Sequence, residues 1–140
     1  STTGMCVMRG SHLLRHSSTL QVPIGLNVSV SEYYALVRGA CYGLGTQALY
    51  DDWHMKLKLT VWSDSSSGRS FAKRRGLGKQ RHVQTRYLWL QDRVKLQHLF
   101  IRCVKSAENP ADLLTKVLTN PEVEKHLTRL GLEARGTSST

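Results

Sequence analysis

The chain reads as an α/β domain built on a mixed sheet flanked by helices, and three observations predict it. Apolar residues recur at helical spacing from Ser29 to about Trp53, alternate with polar ones over Leu57–Ser63, and return to helical spacing beyond Ser65. The predicted order, β-β-α-β-α-α-β-α-α, interleaves the two kinds of element throughout. Its 140 residues, 40% of them hydrophobic, suit one domain with a real core. That domain is expected over residues 1–131, with residues 132–140 as a disordered tail.

Met5 to Met8 leans towards strand, Arg9-Gly10-Ser11 breaks it, and His12 to Arg15 returns as the second arm of a hairpin. Ser17-Ser18-Thr19 and Pro23 to Gly25 read as linker. Tyr33, Leu36, Val37, Ala40, Cys41, Leu44 and Ala48 then mark one face of a long helix. Gly39, Gly43 and Gly45 each cost that helix roughly 1 kcal/mol relative to Ala, and close packing on a sheet is their expected return. Leu57, Leu59 and Val61 predict a strand ending at Ser63-Asp64, and Ser65 to Lys73 a short helix. Arg74 to Lys79 is a loop, Val83 to Leu96 a helix, and Leu99 to Val104 the last strand. Asn109-Pro110 and Asn120-Pro121 each open a helix, with Asn as cap and Pro at the first position.

The bulk numbers narrow the function. No apolar run approaches the ~18 residues of a membrane span, so no membrane partner is expected. The opening Ser1-Thr2-Thr3-Gly4 is unlike a secretory signal and reads as a cut within something longer. Cys6, Cys41 and Cys103 form no Cys-x-x-Cys pair and are expected as buried free thiols in a reducing, intracellular setting, cytoplasmic or nuclear. Net charge is +10, and seven basic residues lie between positions 69 and 86 with no acid from 65 to 91. Arg69, Lys73, Arg74, Arg75, Lys79, Arg81, His82 and Arg86 are therefore the candidate nucleic-acid-binding residues. Trp62 and Trp89 are expected in the core, with base stacking as their other use.

Ten acids stand against twenty Lys and Arg, which draws attention to Glu32, Asp64 and Asp112. One opens the long helix, one ends a strand, and one follows Asn109-Pro110. Carboxylates gathered at the carboxyl ends of strands can hold two divalent ions about 4 Å apart, which activate water and stabilise charge in phosphodiester hydrolysis. By spacing alone, favourable contact with helix dipoles accounts for Glu32 and Asp112 more readily.

Local sequence changes that balance. Ser31-Glu32-Tyr33-Tyr34-Ala35-Leu36 resembles the Glu-Ala-Glu-Tyr-x-Ala-Leu motif of the ribonuclease H domain in copia-type LTR retrotransposon polyproteins. Ser63-Asp64-Ser65-Ser66-Ser67 is similar to that family's Cys-Asp-Asn-x-Ser, and Gly78 to Tyr87 to its Lys-His-Ile-Asp-x-Arg-Tyr. Asn109 to Leu118 resembles its closing Ala-Asp-x-x-Thr-Lys-x-Leu. The resemblance implies a ribonuclease H-like fold with five strands ordered 3-2-1-4-5, and cleavage of the RNA strand of RNA–DNA hybrids. It further implies two Mg²⁺ or Mn²⁺ ions and an upstream reverse transcriptase domain as partner.

Under it Glu32, Asp64 and Asp112 are the catalytic and metal-binding acids. The family's first Asp, on the central strand, would precede Ser1, so this stretch is expected to lack both and to be catalytically incomplete. A non-catalytic nucleic-acid-binding remnant is the alternative, and a structural module supporting the reverse transcriptase is a third reading.

Overall fold

The computed structural model describes residues 2–22, 25–79 and 83–133. It is mixed α/β. Strand β1 (Thr2–Arg9) turns through Gly10, at φ 58°, into β2 (His12–Leu20). Helix α1 (Val28–Asp52) leads to β3 (Thr60–Ser63) and α2 (Ser66–Lys73); α3 (Trp89–Lys95), β4 (Phe100–Cys103) and α4 (Asn120–Arg129) follow. The order of strands and α-helices agrees with the sequence reading until Asn109-Pro110, which opens a 3₁₀ turn rather than an α-helix.

The sheet does not join up. Among the described residues, β1 and β2 pair antiparallel, β3 and β4 pair parallel, and the two pairs form separate sheets rather than the single mixed one expected. Both lean on α1. The Arg9 and Arg15 guanidiniums lie over Tyr50 and Tyr42, at 4.8 and 4.2 Å from the ring centres. On the other side, a Cβ on Gly43 would meet Leu59 Cδ1 at 2.6 Å, so this glycine lets the chain entering β3 approach the helix. Gly39 and Gly45 do not share that role, since a Cβ at Gly39 would be 3.9 Å from Val61 and one at Gly45 meets nothing within 4 Å.

The core lies between α1, α2, α3 and β4. Val30, Tyr33, Leu36, Val37 and Ala40 pack on Phe71, Ala72, Val83, Leu90, Leu99 and Ile101. Cys41 and Ala48, expected on the buried face of α1, are exposed instead. Cys41 and Cys103 are free exposed thiols and Cys6 is half-buried, a correction to the expected burial. Trp62 is also a correction, standing 58% exposed beside β4, whereas Trp89 packs against the core.

Tertiary hydrogen bonds explain where the elements differ from their predicted spans. Ser17-Ser18-Thr19 extends β2 rather than forming a linker, and Ser18 Oγ donates to the Leu114 carbonyl at 2.6 Å. That carbonyl is an acceptor a continuing helix would need, and Pro110–Leu114 is a 3₁₀ turn. A Cβ on Gly4 would lie 2.9 Å from the Ala111 carbonyl, so the turn sits directly on β1.

The helix expected over Val83–Leu96 is divided into a 3₁₀ turn (Thr85–Tyr87) and α3. The Tyr33 hydroxyl takes the Tyr87 carbonyl, and the Gln84 N–H donates to the Tyr34 hydroxyl. For α4 the cap is Thr119 rather than Asn120, closed by a reciprocal box with Glu122. The tail beyond Glu133 and the linker residues Pro23 and Ile24 lie outside the described residues.

Candidate functional site

Glu32 sits one turn inside α1. The helix starts at Val28, where Asn27 caps it by accepting from the Val30 N–H at 2.9 Å, and its first turn holds no acid. Dipole interactions fade within that turn, so they account poorly for Glu32. The residue is half-buried because α2 presses on it; a Cβ on Gly68 would be 3.2 Å from Glu32 Cβ. Burial first, then the Asp64 charge, pushes the Glu32 carboxyl above the usual carboxylate range, and the Lys116 charge pulls it down.

Asp64 follows the last residue of β3, and the Ser106 hydroxyl donates to its Oδ2 at 3.1 Å. Asp112 lies in the 3₁₀ turn that Asn109 caps by accepting from the Ala111 N–H at 3.1 Å. Lys116 Nζ donates to Asp112 Oδ2 at 3.1 Å. That ammonium is held above the ordinary lysine range by the Asp112 hydrogen bond first, with the charges of Asp112, Asp64 and Glu32 adding to it. Three acids distant in sequence thus act electrostatically on one lysine. Lys116 is a member of this site that sequence reasoning passed over, although its i,i+4 spacing from Asp112 was a readable signal.

The donor set does not fit a metal pair as it is arranged. Among the described residues, no group of three or more His, Cys, Asp or Glu side chains is placed to hold a metal ion. Asp112 is engaged by an ammonium and Asp64 by a hydroxyl. The Lys116 ammonium supplies Asp112 with a counter-charge where a metal pair would need an open carboxylate oxygen.

The basic segment divides into residues that build it and residues that present charge. Arg69 Nη1 donates to the Ser63 carbonyl at 2.7 Å, tying α2 to the end of β3. Arg74 Nη2 donates to the Leu77 carbonyl at 2.6 Å while its guanidinium lies 4.2 Å over Phe71. Both are half-buried. Lys73, Arg75, Lys79 and Arg86 are exposed, and Arg81 and His82 lie outside the described residues. The loop takes its shape from Gly76 and Gly78, at φ 70° and 54°, and from Gln91.

Gln91 is 3% exposed. Its Nε2 donates to the Phe71 and Gly76 carbonyls at 2.9 and 3.0 Å, and its Oε1 accepts from the Gly76 N–H at 2.8 Å. A buried glutamine that satisfies three backbone groups clamps the loop onto α3. Nothing in the sequence marked it beyond its place in a helical pattern.

The chain is 25% identical over 126 residues to the Retrovirus-related Pol polyprotein from transposon TNT 1-94 of Nicotiana tabacum. The match takes in 89% of this chain but spans only 10% of that protein's length. This likeness supports a retrotransposon Pol origin. No family model and no solved structure matches the chain. Among the described residues, no helix is long and apolar enough to cross a membrane.

Proposed function

We propose that this stretch is a ribonuclease H-type domain of a retrotransposon Pol polyprotein, built for the RNA strand of RNA–DNA hybrids and catalytically incomplete by itself. One observation carries the reading: four motifs fall in order along the chain, and their acids stand on a helix (Glu32), at a strand end (Asp64) and in a turn (Asp112). The likeness to a Pol polyprotein supports the retrotransposon origin alone. Mg²⁺ or Mn²⁺ belongs in this proposal to a site with a further acid, not to the trio alone. The upstream reverse transcriptase domain and an intracellular setting enter on the same footing.

The lysine among the acids gives specific support to the second reading, a non-catalytic remnant that still binds nucleic acid. Both readings assign the exposed Lys73, Arg75, Lys79 and Arg86 to phosphate contact. They differ on which duplex is preferred, because a remnant held by charge alone has no reason to distinguish A-like from B-form geometry. Competition between a labelled RNA–DNA hybrid and a DNA duplex of the same sequence tests the proposal. Preference for the hybrid by about fivefold or more is expected; equal binding, or preference for the DNA duplex, removes the ribonuclease H reading and leaves the remnant.

A further inference from the structure

A pocket of about 340 Å³ lies between the end of β2, α1 and the 3₁₀ turn before α3, on different residues from the carboxylate trio. Its walls include Tyr34, Tyr42 and Tyr87, together with Gln21, Arg38 and Cys41. The volume falls at the lower end of the ~300–1,000 Å³ range of small-ligand sites. Tyr34 and Tyr87 meet at 5.0 Å between ring centres, inclined by 56°. Arginines lie against two of its tyrosines: Arg15 and Arg38 are 4.2 and 5.9 Å from the Tyr42 ring centre, and Arg86 is 4.9 Å from that of Tyr87. No carboxylate is among the described residues that line it.

Two polar atoms belonging to the wall residues are orphaned. Gln21 is only 8% exposed and spends its Nε2 on the Ser31 carbonyl at 2.6 Å. Its Oε1 has no hydrogen-bond partner among the described residues, and neither has Arg38 Nε. Unpaired buried acceptors and donors are costly, so a ligand offering the matching donor and acceptor gains by meeting them. Aromatic rings, an unpaired amide acceptor, an unpaired guanidinium donor and nearby cations describe the complement of a nucleobase carrying a phosphate.

We infer that this pocket takes one unpaired nucleotide, its base against the tyrosines and its phosphate towards Arg15, Arg38 and Arg86. The inference stands on the pocket's own chemistry and borrows from the proposed function only the source of the nucleotide. Arg86, the last residue of the basic segment, is the sequence neighbour of Tyr87 in the pocket wall. A free mononucleotide offers the same chemistry.

Cys41 supplies the readout, because it lines the pocket while exposed Cys103, on β4, does not and serves as the internal control. The full chain is alkylated with iodoacetamide, and the rate at each cysteine is followed by peptide mass spectrometry. The probes are a single-stranded decanucleotide, an abasic strand of the same length and charge, and AMP.

Slowing of Cys41 by fivefold or more with the decanucleotide, with Cys103 unchanged and the abasic strand ineffective, is the expected result. Protection by AMP alone also upholds the pocket and assigns it to free nucleotides, and it does so even if no strand binds the basic segment. Equal protection by the abasic strand, equal slowing of both cysteines, or no protection by either nucleotide probe overturns the inference. Tyr42→Ala should raise the concentration needed for protection about tenfold through the lost stacking, and Tyr42→Phe should leave it unchanged. If Tyr42→Phe fails like Tyr42→Ala, the ring face is not the binding element.

Discussion

The acidic and basic regions meet at the end of β3 yet are held in opposite ways. The acids come from three distant elements, and their direct bonds are few: one serine hydroxyl on Asp64 and one lysine, itself 54% exposed, on Asp112. The basic loop is local in sequence and is fastened by a buried glutamine, a half-buried arginine and two glycines at positive φ. On the proposed reading, the charge that meets a polyanion is presented on the more firmly bonded frame. The acids are assembled with fewer bonds, and Asp112 is already paired with Lys116.

The largest break in this comparison is expected on the basic side. Replacing Lys73, Arg75, Lys79 and Arg86 by Gln should lower the slope of log K against log salt by about 3 to 4, since each phosphate neutralised contributes roughly 0.9. Hybrid affinity at moderate salt should fall by roughly a thousandfold, read by fluorescence anisotropy. An unchanged slope would move the binding surface elsewhere. Gln91→Leu comes next. It strands the Phe71 and Gly76 carbonyls and the Gly76 N–H, and unpaired buried groups cost about 1–3 kcal/mol each. With water recovering part of that at the half-open loop, denaturant titration should show a loss of about 3 kcal/mol.

Smaller effects are expected among the acids. Lys116→Met removes the shared counter-charge and should cost about 1 kcal/mol or less, because the lysine is largely solvated. Glu32→Gln should do the reverse. Its carboxyl titrates above the usual range when folded, so its ionisation opposes folding from the ordinary carboxylate pKa upward, and stability is gained as pH falls through that window. At pH 7 the neutral variant should be more stable by a few tenths of a kcal/mol, discounted because about half the group faces water. Its pH dependence between 4 and 7 should be flatter than that of the parent chain.

The same contrast decides what could be read from sequence. Periodicity located α1, α2 and β3 to within a few residues, because their burial follows from spacing along one element. It failed at the helix predicted from Val83 and at the turn after Asn109. There the decisive partners, the Tyr33 and Tyr34 hydroxyls and the Ser18 hydroxyl, come from elements at least 50 residues away. Glu32, Asp64 and Asp112 could be nominated by local motifs, but their relation to Lys116 is a tertiary fact. Counting charges found the basic segment yet could not separate exposed Arg75 from Arg74, which is folded back over Phe71. The pocket beside Tyr42 drew on residues that each looked ordinary in the sequence.

Incubating the 140-residue chain with an end-labelled RNA–DNA hybrid in Mg²⁺, and separately in Mn²⁺, tests the central claim most directly. The account predicts that the hybrid is bound and remains uncut, with no difference in product between the parent chain and Asp64→Asn. Metal-dependent cleavage of the RNA strand by the parent chain, abolished in Asp64→Asn, would contradict it. The three acids would then be a working site without any further acid.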